Sequence, residues 1–190
     1  FQDHGHLAHY PKLYNELIRV PLVVDARHVD GRRVDRQVAL DAIPPTVAEL
    51  MNVDAPADWE GDSLVSTVRD GVEPPDDPVV SVTVRGDDVT AQPIPRSLDD
   101  GALYVSVRDA AWTYIENVDD GATELYHRPS DPAETADRSA DPTTEERRVI
   151  ERFGSLAGAN PFRVRGGEGG GSAGSVAADL DARLVAPCHR

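Results

Sequence analysis

The N-terminal part of the chain alternates between helical spacing and one unbroken apolar run. Residues 12–18 (KLYNELI) carry apolar side chains on one face of a short helix. The run at residues 19–25 (RVPLVVD) is typical of a strand that is buried on both faces in a parallel sheet. Helical spacing returns at residues 40–51, with Pro44-Pro45 in the first turn, and a further helix is predicted at residues 63–68. The pattern predicts an α/β arrangement.

The spacing changes after residue 73, where short segments rich in β-branched and aromatic residues alternate with turns that contain Gly and Asp. The predicted strands cover residues 79–85, 103–108, 112–115 and 124–126, and a helix with a threonine cap is predicted at residues 143–156. Short strands joined by turns favour antiparallel pairing. We therefore expect a small antiparallel sheet with one packing helix.

The chain is predicted to contain three regions. Residues 1–72 form the end of an α/β domain with helices on both faces of its sheet, and residues 73–157 form a C-terminal antiparallel subdomain. Residues 158–190 contain the run GGEGGGSAG and form a flexible tail. Because the most motif-dense stretch starts immediately at Phe1, we expect the first half of a larger protein to precede it.

The charge of the chain restricts its partners. There are 34 acidic against 19 basic residues, a formal net charge of −15. A surface this acidic repels nucleic acid and anionic membranes, so neither is an expected partner. Lys12 is the only lysine beside 18 arginines, and 23 aspartates outnumber 11 glutamates. This composition resembles that of proteins from extreme halophiles; intrinsic disorder is the competing interpretation, but the apolar patterns in residues 1–155 favour a folded chain.

Two further features leave questions open. No apolar run approaches the roughly 18 residues that a membrane span needs. The single cysteine, Cys188, cannot form an internal disulfide, so cysteine usage does not indicate a compartment.

The first residues concentrate side chains that could carry chemistry. His4, His6 and His9 lie close together in the sequence, with Asp3 beside them. Three interpretations are open: a metal cluster with imidazole ligands, histidines that only form local hydrogen bonds, and an anion-binding role inside a larger active site. The spacing matches none of the well-defined zinc patterns.

Six segments in sequence order resemble motifs of the sulfatases of the alkaline-phosphatase superfamily. They are Asp3-His4-Gly5 with His9; Leu13 to Leu22 (LYNELIRVPL); Gln37 to Thr46; Gly61-Asp62-Ser63-Leu64; Arg108 with Trp112-Thr113-Tyr114-Ile115; and Glu124-Leu125-Tyr126 with Asp131-Pro132-Ala133-Glu134. Thr113 replaces the lysine that the family has there. The resemblance covers residues 1 to about 135, and it implies the C-terminal part of an alkaline-phosphatase-like sheet with helices on both faces.

The resemblance also implies a reaction. Such enzymes hydrolyse sulfate esters of small molecules or sulfated glycans, using a formylglycine made from a Cys/Ser-x-Pro-x-Arg motif and a divalent metal, Ca²⁺ or Mg²⁺. That motif is absent from these 190 residues. The nucleophile and most of the metal ligands are therefore expected upstream of Phe1, and the chain alone is expected to be inactive.

The resemblance assigns roles to two residues. Residue 6 is His where the metal-binding element has Glu, and His4 and His9 are too close for that element, so Asp3-His4-Gly5 matches the second, Glu-His-Gly, element and no metal ligand is assigned in this chain. His9, four residues before Leu13, then matches the Lys or His that contacts the sulfate. Lys12 is the second candidate for this catalytic and substrate-binding role.

Two alternatives to a sulfatase are kept. One is a phosphodiesterase or phosphotransferase of the same superfamily, because sulfate and phosphate oxyanions need similar contacts. The other is a non-catalytic structural remnant. The upstream nucleophile discriminates among them: Cys/Ser-x-Pro-x-Arg indicates a sulfatase, and a bare Thr or Ser indicates a phosphate enzyme.

Overall fold

The computed structural model of the chain describes residue 4 and residues 12–83 and 103–159. Four helices are present in these residues: α1 (Asn15–Ile18), α2 (Ile43–Leu50), α3 (Val65–Asp70) and α4 (Thr144–Ala159), with a 3₁₀ turn at Leu40–Ala42 before α2. The strands are β1 (Val79–Val82), β2 (Tyr104–Arg108), β3 (Trp112–Asn117) and β4 (Thr123–His127). None of these helices is long and apolar enough to cross a bilayer. The predicted fold class, α/β with a small antiparallel sheet, is confirmed.

The sheet is an antiparallel meander with the strand order β1-β2-β3-β4. Its register is fixed by pairs such as Val80 with Val107 and Tyr114 with Leu125. The predicted turn before β4 contains Gly121 at φ 74°, a left-handed conformation that costs glycine least. The predicted tail lies almost entirely outside the described residues, which end at Ala159.

One face of the sheet packs on α4. Because side chains alternate along a strand, every second residue of β2, β3 and β4 points to this face. The core contains fully buried Phe153 from α4, and its buried members are Val105, Val107, Tyr114, Leu125, Val149, Phe153 and Ala157. The apolar stripe of the predicted helix is thus the stripe that meets the sheet.

The opposite face of the sheet packs on the segment around α1. A second buried cluster forms here. It contains Leu13 and Tyr14 of this segment and the strand residues on this face, Tyr104, Ile115 and Tyr126. Both faces of the small sheet are therefore covered within the described residues. The packing also places Lys12 directly beside the sheet.

Helix α4 begins with a capping box. The Glu146 carboxylate accepts the backbone N–H of Thr143 at 2.7 Å, and the Thr143 hydroxyl accepts the N–H of Glu146 at 3.3 Å. Arg138 donates to the same carboxylate at 3.0 Å. The hydrogen bonds from Thr143, then that from Arg138, lower the pKa of Glu146 to about 2.

Helices α2 and α3 are joined by one hydroxyl group. Thr46 donates to the carbonyl of Ala42 at 2.6 Å and accepts the N–H of Leu64 at 2.8 Å. Gly61 lies so close to Asp41 that an added Cβ would be 2.1 Å from its carbonyl oxygen. A glycine is therefore needed where this loop passes the turn before α2.

The predicted strand at residues 19–25 is absent: these residues form neither strand nor helix. Four of its apolar side chains are exposed, namely Val20, Leu22, Val23 and Val24. A strand persists only where its backbone groups pair with a neighbour, and the one sheet of the described residues does not include this run. The apolar pattern predicts that these side chains are buried, but no described element packs over them.

Candidate functional site

Of the two residues predicted to contact the substrate anion, His9 lies outside the described residues. Lys12 is described, and its ammonium lies 3.5 Å from Oε1 of Glu124 and 4.1 Å from the centre of the Tyr104 ring. Burial lowers the pKa of Lys12, but the contacts with Tyr104 and Glu124 outweigh this effect and raise it. Lys12 is therefore charged, and its charge is balanced inside the protein.

Glu124 organises the polar contacts around Lys12. Its other carboxylate oxygen accepts the hydroxyl groups of Tyr14 at 2.8 Å and Tyr126 at 2.7 Å. Burial, and after it the nearby Glu124, raises the pKa of Tyr14 and of Tyr126 well above the ordinary value. Both phenols are held as donors. In this arrangement Lys12 contacts Glu124 and Tyr104, and its predicted contact with a sulfate oxygen stays a prediction.

A second polar cluster joins the sheet to α1. Arg108 and Glu134 form an ion pair with N–O distance 2.9 Å, and their side chains are 7 % and 1 % exposed. Glu134 also accepts the Thr113 hydroxyl and the backbone N–H of Asn15, both at 2.7 Å, while Arg108 donates to the Asn15 side chain at 2.9 Å. Since a buried charge is tolerated only when it is paired and hydrogen-bonded, each member depends on the others.

Two atoms of this face remain without a protein partner in the described residues. They are the Nε of Arg108 and the hydroxyl of Ser106, two residues earlier on β2. Burial lowers the pKa of Arg108, and Glu134 opposes the shift. A guanidinium stays protonated in proteins, so Arg108 keeps its charge.

His4 extends this cluster to the N-terminal residues. Its Nδ1 lies 2.7 Å from Oε1 of Glu16, and its Nε2 lies 2.7 Å from the backbone carbonyl of Glu134. The imidazole is stacked on Tyr14, with ring centres 3.8 Å apart and planes inclined by 3°. Burial lowers the pKa of His4, but the hydrogen bonds to Glu134 and Glu16 together raise it.

The structure thus brings together residues from several predicted motifs. His4, Asn15, Arg108, Thr113 and Glu134 come from four of the six segments and meet at one cluster. Sequence analysis assigned no role to Arg108, Glu134 or Glu124. The available sign for Glu124 was an acidic residue directly before the apolar pair Leu125-Tyr126 in a predicted strand, because such a residue needs a partner when it is buried.

The described residues do not supply a metal centre. Among residue 4 and residues 12–83 and 103–159, no group of three or more His, Cys, Asp or Glu side chains could hold a metal ion. The residues present here therefore do not fit the divalent metal that the resemblance implies. That the ligands of this metal lie upstream of Phe1 stays a prediction.

The fold has counterparts among solved structures, whereas no family model and no curated protein matches the sequence. A candidate sulfatase from Bacteroides thetaiotaomicron VPI-5482 superposes with a TM-score of 0.60 at 21 % identity, over 84 % of this chain and 36 % of that chain. A protein in complex with its substrate D-glucosamine-2-N,6-O-disulfate has a TM-score of 0.46 at 16 % identity, over 65 % and 25 %. A 2-O glycosaminoglycan sulfatase has a TM-score of 0.42 at 22 % identity, over 60 % and 24 %.

The coverage of the first match defines how far the likeness extends. This chain spans about a third of the length of the candidate sulfatase, and it does so with most of its own residues. An identity near one fifth is informative about fold and not about chemistry. The chain has the fold of one part of a sulfatase-like structure.

Proposed function

We propose that this chain is part of a sulfuric ester hydrolase of the sulfatase type. The observation that carries the proposal is the convergence of four motif segments on the buried Arg108–Glu134 pair, with His4 and Asn15 held against it. His4 and Glu134, 130 positions apart in the chain, are in contact there, so the first and the last of the sulfatase-like segments lie together. The likeness of fold to a candidate sulfatase supports the same proposal.

In this proposal the chemistry is divided between two parts of the protein. The part upstream of Phe1 supplies a formylglycine nucleophile and the ligands of Ca²⁺ or Mg²⁺, which would hold the sulfate group. This chain supplies His9 as a donor to the sulfate oxygens, where negative charge develops in the transition state. Lys12 is the second donor, and its ammonium also forms an ion pair with Glu124. The substrate is a sulfate ester of a small molecule or a glycan.

The test uses the full-length protein and an aryl sulfate, with Ca²⁺ or Mg²⁺ supplied. Replacing His9→Ala is expected to lower kcat/KM by roughly 10²-fold or more, the scale for one lost oxyanion donor. Lys12→Ala is expected to have a smaller effect, because its ammonium is already paired with Glu124. The matched control is His28→Ala, since His28 is exposed.

Three outcomes would contradict parts of the proposal. Turnover by the 190-residue chain alone would show that no upstream nucleophile is needed. Unchanged kinetics of both His9→Ala and Lys12→Ala would show that the anion site is elsewhere. Hydrolysis of a phosphate diester in preference to the aryl sulfate would identify the phosphodiesterase alternative.

A further inference from the structure

The contacts of His4 determine the state of its ring. Each ring nitrogen lies 2.7 Å from an oxygen: a carboxylate oxygen of Glu16 on one side and the backbone carbonyl of Glu134 on the other. An ionised carboxylate and a carbonyl can only accept hydrogen bonds. Both nitrogens therefore have to donate, which only the protonated imidazolium can do.

The groups that face His4 from each neighbouring element suit a cation. Glu16 of α1 supplies a negative charge, and the Tyr14 ring supplies an aromatic face at 3.8 Å. Tyr14 does not titrate near neutrality, because its pKa is raised. Arg108 of β2, which belongs to the same cluster, is paired with the Glu134 carboxylate.

We propose that His4 is a proton-dependent latch that fastens residue 4 to α1 and to Glu134. Loss of the ring proton leaves one nitrogen with a lone pair that faces an acceptor oxygen, and the contact becomes repulsive. The latch is then released on that side. This inference rests on the geometry of His4 alone and does not depend on the proposed hydrolase.

Glu134 connects His4 to Asn15 at the start of α1. Its carbonyl accepts from His4, and its carboxylate accepts the backbone N–H of Asn15, both at 2.7 Å. Its backbone is in the left-handed region, at φ 54°, which is unfavourable for a residue with a Cβ and persists only when surrounding contacts enforce it. One residue thus fixes two positions, 4 and 15, and protonation of His4 decides whether the first is held.

The direction of the pH dependence follows from the raised pKa of folded His4. A group that binds its proton more tightly when folded stabilises the folded state. This stabilisation is fully present below the ordinary histidine pKa of about 6.5, and it is lost as the pH rises through the higher pKa of the folded chain. The latch is closed in acid and opens toward alkaline pH.

The test is a histidine NMR titration of the intact protein, with three forms compared. His4→Phe keeps a ring stacked on Tyr14 but removes both donors, and it identifies the His4 resonances. Glu16→Gln keeps the side-chain shape and removes the charge. We expect His4 to titrate above 6.5 with both nitrogens protonated at pH 6, and Glu16→Gln to lower its pKa by about 0.5–1 unit, because an opposite charge is lost.

A thermal melt supplies the second readout. The Tm of the wild-type protein should exceed that of His4→Phe at pH 6, and the difference should shrink as the pH passes the measured pKa of His4. A His4 that titrates at or below 6.5, or that is neutral at pH 6, overturns the proposal. So does a Tm difference that is independent of pH. If His4→Phe does not fold, the titrations of the wild type and Glu16→Gln decide alone.

Discussion

Residues 103–159 and residues 19–72 differ sharply in how they bury their apolar side chains. In residues 103–159 the sheet is covered on one face by α4 and on the other by the segment around α1. Residues 19–72 contain ten of the eleven large apolar side chains that are exposed among the described residues, including Val23 at 88 % and Met51 at 69 %. The first region forms a closed core, whereas the second leaves many of its large apolar side chains exposed.

Charge does not explain this difference. Residues 19–72 contain 10 acidic and 6 basic side chains, a net charge of −4, and residues 103–159 contain 12 acidic and 6 basic, a net charge of −6. The more acidic region is the better packed one. The difference lies in topology, because an antiparallel meander finds its partners within a few residues, whereas a doubly buried strand needs neighbours from elsewhere in a sheet.

The largest expected effect tests the closed core against the exposed surface. Phe153→Ala should lower the free energy of unfolding by about 3–5 kcal/mol, because it opens a cavity in the fully buried contact between α4 and the sheet. Val23→Ala should change it by less than about 0.5 kcal/mol, because the side chain is already in solvent. The measurement is chemical denaturation of the 190-residue chain, followed by circular dichroism.

Two outcomes of these measurements would contradict this difference between the two regions. A large decrease in the free energy of unfolding for Val23→Ala would mean that residues 19–25 are buried in solution. A small loss for Phe153→Ala would mean that α4 does not pack on the sheet as described.

An intermediate effect is expected from salt, and it separates charge from packing. Raising KCl from 0.1 M to 3 M shortens the Debye length from about 10 Å to below about 3 Å and screens the repulsion within a chain of net charge −15. We expect the Tm of the full-length protein to rise with salt; a rise of ~2–4 °C corresponds to roughly 1 kcal/mol for a domain of about 150–250 residues. A Tm that is flat or falls with salt contradicts the salt-adapted interpretation.

The smallest effect concerns the capping box of α4. Glu146→Gln keeps the capping shape but loses the charge, and it should cost about 1 kcal/mol at pH 6, the scale for a helix cap. Because the folded pKa of Glu146 is about 2 against an ordinary 4.5, this stabilisation is present above pH 4.5 and is lost as the pH falls towards 2. Urea unfolding of both forms at several pH values measures it.

The control for this prediction is Glu145→Gln, because Glu145 lies in the same first turn and is exposed. It should change stability little at any pH. An equal loss of unfolding free energy in both variants would show that the effect comes from the electrostatic field of the helix N-terminus and not from the capping box.

The elements that sequence analysis predicted well are those with local causes. The meander follows from alternation and turns, and α3 ends at Gly71 in the left-handed conformation that a helix end favours. The predicted strand at residues 19–25 is absent because strand formation depends on a partner, which no local pattern contains.

The site was predictable only in part, for a related reason. The motif residues Arg108 and Glu134 stood out in the sequence, but their pairing depends on a contact across 26 positions. The role of Glu124 as acceptor for Lys12 and Tyr14 depends on the packing of residues 12–18 on the sheet. Spacing along the chain does not encode such contacts, so the partners of a buried charged residue become evident only in the folded structure.

The contact between His4 and Glu134 has a consequence for the order of folding. It closes a loop of 130 positions, whereas the contact between His4 and Glu16 closes one of 12. On the logarithmic dependence of loop entropy on length, the longer closure costs about 2 kcal/mol more. The contact of His4 with Glu134 is therefore expected to form after the sheet and α4, when β4 and the loop that follows it already hold Glu134 in place. In a refolding experiment, fluorescence from Trp112 in the sheet should reach its native value before His4 gains its folded pKa.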